Sequence, residues 1–207
     1  MENELKIDPK LVAEFFKFNK NMIEAPKMVP APDEINLEMT PYDVAYSEDK
    51  IRLLHFNSPT QKQHQTPLVI VYALVNRYHI LDIQPHKSWV RNLLNQGYDV
   101  YMIDWGTPSN IDKYLGFDDY VNGYIDNCVD FVCNEVSVNK VSMQGYCTGG
   151  TLATVYTALH PNKIKNLIVT APVIDGKRDT TVVGNLARHV DVDNMVETIG
   201  NMPPEFM

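Results

Sequence analysis

With 207 residues, 44% of them hydrophobic and 21% charged, the chain is long enough for one domain with a sizeable core. Its net charge of −8 argues against nucleic acid as a partner, because neutralising phosphates needs a basic surface. No apolar run approaches the length of a membrane span, and no basic stretch followed by an apolar core opens the chain. Neither a transmembrane segment nor a signal peptide is therefore expected, and the chain reads as cytoplasmic.

Residues 8–24 have the pattern of an amphipathic helix, with Leu11, Phe15 and Met22 on one face and Val12, Phe16 and Ile23 beside it. Asp8 can cap this helix and Pro9 suits its first turn. The helix could pack on the domain or dock onto a partner. Pro26, Pro30, Pro32 and Pro41 make residues 25–41 an extended linker. Residues 1–41 are thus expected to precede a catalytic domain over 42–207.

Tyr42–Tyr46 and Lys50–Phe56 alternate polar and apolar residues, which predicts an antiparallel hairpin. Pro67–Val75 is a continuous apolar run, as in a strand buried on both faces. A helix is predicted over 85–96, ending at Gly97. Tyr98–Ile103 is the next buried strand, closed by Asp104-Trp-Gly-Thr-Pro108, and a long helix follows over Phe117–Val136. Lys140–Tyr146, Thr148–His160 and Lys165–Thr170 read as strand, helix and strand. This alternation predicts βαβ units: an α/β fold whose mainly parallel sheet has helices on both faces.

Gly145-Tyr-Cys-Thr-Gly-Gly150 lies between a predicted strand and a predicted helix. That is the nucleophile-elbow pattern, with Cys147 where most elbows carry serine. Gly145 and Gly149 leave room for a sharp turn that forces the nucleophile outward. A thiol at a helix N-terminus is also easier to ionise. The plainer alternative is a buried cysteine in a tight turn. The elbow selects an α/β-hydrolase-type sheet over a dinucleotide-binding one, since no Gly-rich phosphate loop follows any strand.

The chemistry would need an oxyanion hole. One donor is expected to be the backbone N–H of Thr148. The other should come from the loop after Leu68–Leu74, with the N–H of Val75 preferred and Leu74 next. A general base is harder to place. His160 ends the elbow helix far from Cys147, and His189 comes too early in the chain for the usual final histidine; Asp175, weighed as the acid that would orient the base, comes one strand too soon. The last residues, Met202–Met207, contain no structural terminator, so the sheet reads as truncated before its C-terminal strands. An unpaired edge and a tendency to aggregate are then expected of residues 1–207 alone.

Three cysteines make no disulfide framework. Cys128 and Cys133 have no histidine at ligand spacing and read as buried, inert thiols, so no metal or cofactor is expected.

With these motifs together, the chain resembles the polyhydroxyalkanoate synthases, specifically the catalytic subunit of the two-subunit (class III) type. Gly145–Gly150 is similar to the family's lipase-like box with a cysteine nucleophile. Asn76–Pro85 resembles its segment after the oxyanion strand, Asp104–Pro108 its next strand end, and residues 36–56 its N-terminal hairpin. The resemblance implies an acyltransferase that polymerises 3-hydroxyacyl-CoA, with Cys147 holding the acyl group as a thioester and CoA released. It also implies a second synthase subunit and association with polymer granules. The family's Asp and His have no matching positions here, so residues 1–207 by themselves are expected to be inactive or nearly so. Two other readings share the elbow or the helix: a cysteine-nucleophile hydrolase, such as a thioesterase or dienelactone-hydrolase-like enzyme, and a non-catalytic binding module using the Leu11–Ile23 face.

Overall fold

The computed structural model describes residues 39–62, 64–178, 184 and 188–201. The helix expected over 8–24 and most of the linker lie outside the described residues.

Six strands form one sheet in the order β1-β2-β4-β3-β5-β6. The hairpin is β1 (Tyr42–Glu48) and β2 (Ile51–Phe56), turning at Asp49, whose φ is +48°. β2 also pairs antiparallel with β4 (Val100–Asp104), and from there the sheet is parallel through β3 (Leu68–Val71), β5 (Val141–Tyr146) and β6 (Ile164–Thr170).

The central strands are apolar because both of their faces are covered. Val69, Val71, Tyr101, Ile103, Val141 and Met143 face one core. Leu68, Ile70, Val100 and Met102 face the other. Each side chain of β3 is at most 1% exposed, and burying such a side chain stabilises by roughly 1.5–3 kcal/mol. The first core is roofed by α2 (Asp126–Val136) and α3 (Thr148–Leu159), through Cys128, Val129, Val132, Leu152, Ala153 and Tyr156. The second is roofed by α1 (Trp89–Asn95), through Val90 and Leu94, together with Tyr78 and Leu81. The last described helix is α4 (Val192–Ile199).

The order of the strands positions the site. From β3 the chain crosses by α1 to β4, on one side of β3. It then returns by α2 to β5, on the other side. The loops leaving the C-terminal ends of β3 and β5 therefore run to opposite faces of the sheet, and this switch point is the crevice position at which ligands bind in open α/β sheets.

Beyond shifts of one or two residues at element ends, three elements differ from the sequence expectation. β3 stops at Val71, short of Val75, because the Tyr72 carbonyl accepts the Trp105 indole N–H at 2.8 Å instead of continuing the ladder. The helix expected over 85–96 splits into a 3-10 turn (Pro85–Lys87) and α1, because the Ser88 hydroxyl caps the second piece by accepting Arg91 N–H at 2.8 Å. The long helix expected over Phe117–Val136 contains a π-helical stretch, Asp119–Ile125, which leads directly into α2. Ser137, in a left-handed conformation, ends it. β6 is the last strand of the described sheet, and Ile168 and Val169 on it are half exposed.

At the opposite end of β4 from the crevice, buried Asp99 accepts hydrogen bonds from His55 at 2.7 Å and Lys62 at 2.6 Å. Burial pushes its carboxyl pKa up, but these two bonds and their charges outweigh it and hold the pKa below the ordinary value. The stabilisation is complete above the unfolded carboxylate pKa, about 3.9, and is lost as pH falls through the lower folded value. Urea melts should show wild type losing stability below about pH 4 more steeply than Asp99→Asn. Parallel acid limbs would contradict this assignment.

Candidate active site

Cys147 caps α3 immediately after β5, with φ +53° and ψ −125°. A non-glycine residue in such a conformation costs on the order of 1–3 kcal/mol and persists only where its surroundings enforce it. Here both backbone groups of Cys147 are fixed. Its N–H donates to the Thr170 carbonyl of β6 at 2.9 Å, and its carbonyl accepts Gly150 N–H at 2.8 Å.

The two elbow glycines permit contact that no side chain could. A Cβ on Gly145 would lie 2.5 Å from Gly150 Cα and 2.8 Å from Ala153 Cβ, so α3 could not fold back onto β5. A Cβ on Gly149 would lie 2.2 Å from the Val71 carbonyl oxygen and 2.4 Å from that of Tyr72. The first turn of α3 is thereby seated against the end of β3.

This seating brings the second half of the predicted site to the first. Leu74 N–H donates to Thr148 Oγ1 at 3.1 Å. Leu74 is thus engaged, and Cys147 N–H is committed to Thr170. Among the described residues, the N–H groups of Val75 and Thr148 have no internal hydrogen bond; one follows β3 and the other begins α3. Of the two residues weighed for the second donor, Leu74 has its N–H engaged by Thr148 and Val75 does not.

Segments 76–85 and 104–108 brace the loop after β3. Buried Asp82 accepts from Thr40 N–H at 2.6 Å, from the Thr40 hydroxyl at 2.9 Å, and from the Ser88 hydroxyl. Asn76, with φ +78°, accepts Arg77 N–H at 3.0 Å on its own side chain, and Arg77 donates to the Thr107 hydroxyl at 3.1 Å. Asp104 accepts from Arg52 at 2.6 Å, and its neighbour Trp105 holds the Tyr72 carbonyl. Sequence reasoning singled out both segments without assigning tasks to Asp82 or Trp105. The available signals were an aspartate and a tryptophan placed next to apolar runs.

None of the polar residues weighed as the base or its orienting acid is hydrogen-bonded to the Cys147 thiol among the described residues. His160 is the C-cap of α3, so the 12-residue helix sets it about 18 Å from Cys147. There its Nε2 meets Asn122 Oδ1 at 2.7 Å and its ring stacks on Tyr156. Asp175 pairs with Arg178 at 3.1 Å, and His189 is exposed on a turn. Among the described residues the Cys147 thiol has no hydrogen-bond partner, and no cluster of His, Cys, Asp and Glu could hold a metal ion. No helix among them is long and apolar enough to cross a membrane.

The three thiols differ sharply. Burial, with a smaller contribution from Glu48, pushes the Cys128 thiol up to about 12. Burial also raises Cys133, beside Asp130. Cys147 is partly exposed at the crevice. Limited iodoacetamide treatment of the native protein, followed by peptide mapping, should label Cys147 first. Faster labelling of Cys128 would contradict this arrangement.

Comparison with known proteins agrees with the architecture. A family model described as "alpha/beta hydrolase fold" matches residues 66–207. Another, described as the "Poly-beta-hydroxybutyrate polymerase (PhaC) N-terminus", matches residues 34–93. A poly(3-hydroxyalkanoate) polymerase subunit PhaC from Thiocystis violacea is 40% identical over 199 residues, covering 96% of this chain and 56% of the relative. The protein of the same name from Haloferax mediterranei is 44% identical over 176 residues, covering 84% of this chain and 36% of the relative. The chain therefore spans about half or less of the length of these relatives. A soluble variant of monoglyceride lipase from Saccharomyces cerevisiae superposes with a TM-score of 0.55 at 15% identity, over 81% of this chain and 55% of the lipase, a likeness of fold alone. The six-strand order, the cysteine elbow between β5 and α3, and these matches place the chain in the alpha/beta hydrolase fold family and, within it, among the poly(3-hydroxyalkanoate) polymerases.

Proposed function

We propose that the protein is the acyltransferase its relatives' names describe, polymerising 3-hydroxyacyl-CoA through a covalent thioester on Cys147. The observation that carries this reading is Cys147 itself. A cysteine with positive φ stands at the apex of the turn between β5 and α3, on the crevice at the ends of β3 and β5.

Cys147 Sγ, having given its proton to a base, attacks the carbonyl carbon of the acyl-CoA thioester. The S–C bond forms as the carbonyl π pair moves onto oxygen. The Thr148 and Val75 N–H groups donate to that oxyanion, whose charge exists only in the transition state and intermediate. When the pair returns, the bond to CoA breaks and CoA leaves as a thiolate that takes up a proton. The acyl group passes from one thioester to another, so the step is close to isoenergetic and the acyl group stays activated. The hydroxyl of a second monomer or chain then attacks it, giving an ester and restoring Cys147.

The base is assigned to a residue other than those bonded around the elbow, since no described residue is hydrogen-bonded to the Cys147 thiol. An elbow cysteine without its base keeps only a small part of the activity, lower by orders of magnitude. The relatives' names call them subunits, which supports a second synthase subunit, and the proposed polyester product supports association with cytoplasmic polymer granules as part of the same reading.

The full chain, with its partner subunit and 3-hydroxybutyryl-CoA, should give polymer and free CoA thiol, and Cys147→Ala should abolish both. Release of CoA that survives Cys147→Ala would contradict the mechanism. Free 3-hydroxybutyrate in place of polymer would indicate a hydrolase.

A further inference from the structure

We propose that the side-chain hydroxyl of Thr148 is a positioning residue for acyl transfer: by accepting the Leu74 N–H it holds the two oxyanion donors in register. This rests on Cys147 being the acyl acceptor.

The two donors sit on different elements. Thr148 N–H is at the start of α3, and Val75 N–H is on the loop after β3. The chain separates Leu74 from Thr148 by 74 residues, yet Thr148 Oγ1 lies 3.1 Å from Leu74 N. One residue thereby supplies a donor from its backbone and fixes the residue next to the other donor with its side chain. Because the peptide group is planar, anchoring Leu74 N restricts the orientation of the peptide that carries Val75 N–H to the two dihedrals of Leu74.

Packing does not do this job. Leu74 and Val75 are 43% and 52% exposed, so burial alone holds neither in place. The neighbouring anchor, from Trp105 to the Tyr72 carbonyl, acts two residues earlier and makes no bond to the Leu74–Val75 peptide. The hydroxyl also occupies the Leu74 N–H, which would otherwise be a third donor pointing elsewhere. Thr148 does not touch the thiol by any hydrogen bond among the described residues, so its hydroxyl acts through the loop and not on the nucleophile.

Two substitutions separate the hydroxyl from the rest of the side chain. Thr148→Val keeps the shape and removes the acceptor. Thr148→Ser keeps the acceptor and removes a methyl group. In the full chain with 3-hydroxybutyryl-CoA, Thr148→Val should lower the rate of Cys147 acylation by about 10-fold or more, the scale on which misplaced donors act. KM for the acyl-CoA and the iodoacetamide reactivity of Cys147 should stay within about 3-fold of wild type, because neither uses the oxyanion donors. Thr148→Ser should restore acylation to within about the same 3-fold margin.

Acylation at the wild-type rate in Thr148→Val would overturn the proposal. So would Thr148→Ser as slow as Thr148→Val, which would assign the effect to the methyl group, or equal loss of alkylation and acylation, which would assign it to a disturbed elbow. A different result belongs to the underlying reading: if Cys147→Ala still acylates, the acceptor is another residue whatever the Thr148 variants do.

Discussion

The site depends on one close approach, that of the first turn of α3 to the end of β3. Gly149 sits where any Cβ would come within 2.4 Å of the carbonyl oxygens of both Val71 and Tyr72. Only with that contact can Thr148 reach Leu74 and bring a loop after β3 beside a turn after β5. The same seating gives Cys147 its positive φ, because the chain must leave β5 and enter α3 with almost no intervening residues. The strain is held by hydrogen bonds to Thr170 on the neighbouring strand β6 and to Gly150 in the first turn of α3.

The rigidity behind this contact comes from the middle of the sheet. β3 is buried on both faces and pairs with β4 and β5. Its end is not left to fray. Trp105 takes the Tyr72 carbonyl from the β4 side, while Asp82 gathers Thr40 and Ser88 under the loop that follows. These bonds place polar anchors where the apolar ladder stops. They keep a backbone N–H available at the surface without relying on buried side chains around it.

Much of this could be read from the residues alone. The apolar runs of β3, β4 and β5 and the helical periods between them indicate a mainly parallel sheet. The glycines at 145 and 149 around a cysteine indicate the elbow, because strand–turn–helix context gives that short pattern its meaning. The extents of the elements were less legible. Leu74 and Val75 continue the hydrophobic run of β3, and nothing local says that an indole 33 residues away claims the Tyr72 carbonyl. Ser88 splitting a helix was in principle readable as an N-cap, but the apolar period runs through it. The hydroxyl of Thr148 was least legible, since its partner is 74 residues away and a backbone atom at that. Long-range pairings of this kind follow from the fold and leave no periodic trace in the sequence.

The central claim is that Cys147, presented at this contact, is the atom that takes the acyl group. The direct measurement is to mix the full chain with 3-hydroxybutyryl-CoA, quench in acid within the first turnovers, and map the acylated peptide by mass spectrometry with and without hydroxylamine. The account predicts a hydroxyacyl thioester, removed by hydroxylamine, on the peptide that contains Cys147. A hydroxyacyl group on any other residue, or an enzyme that releases CoA with none on Cys147, would contradict it.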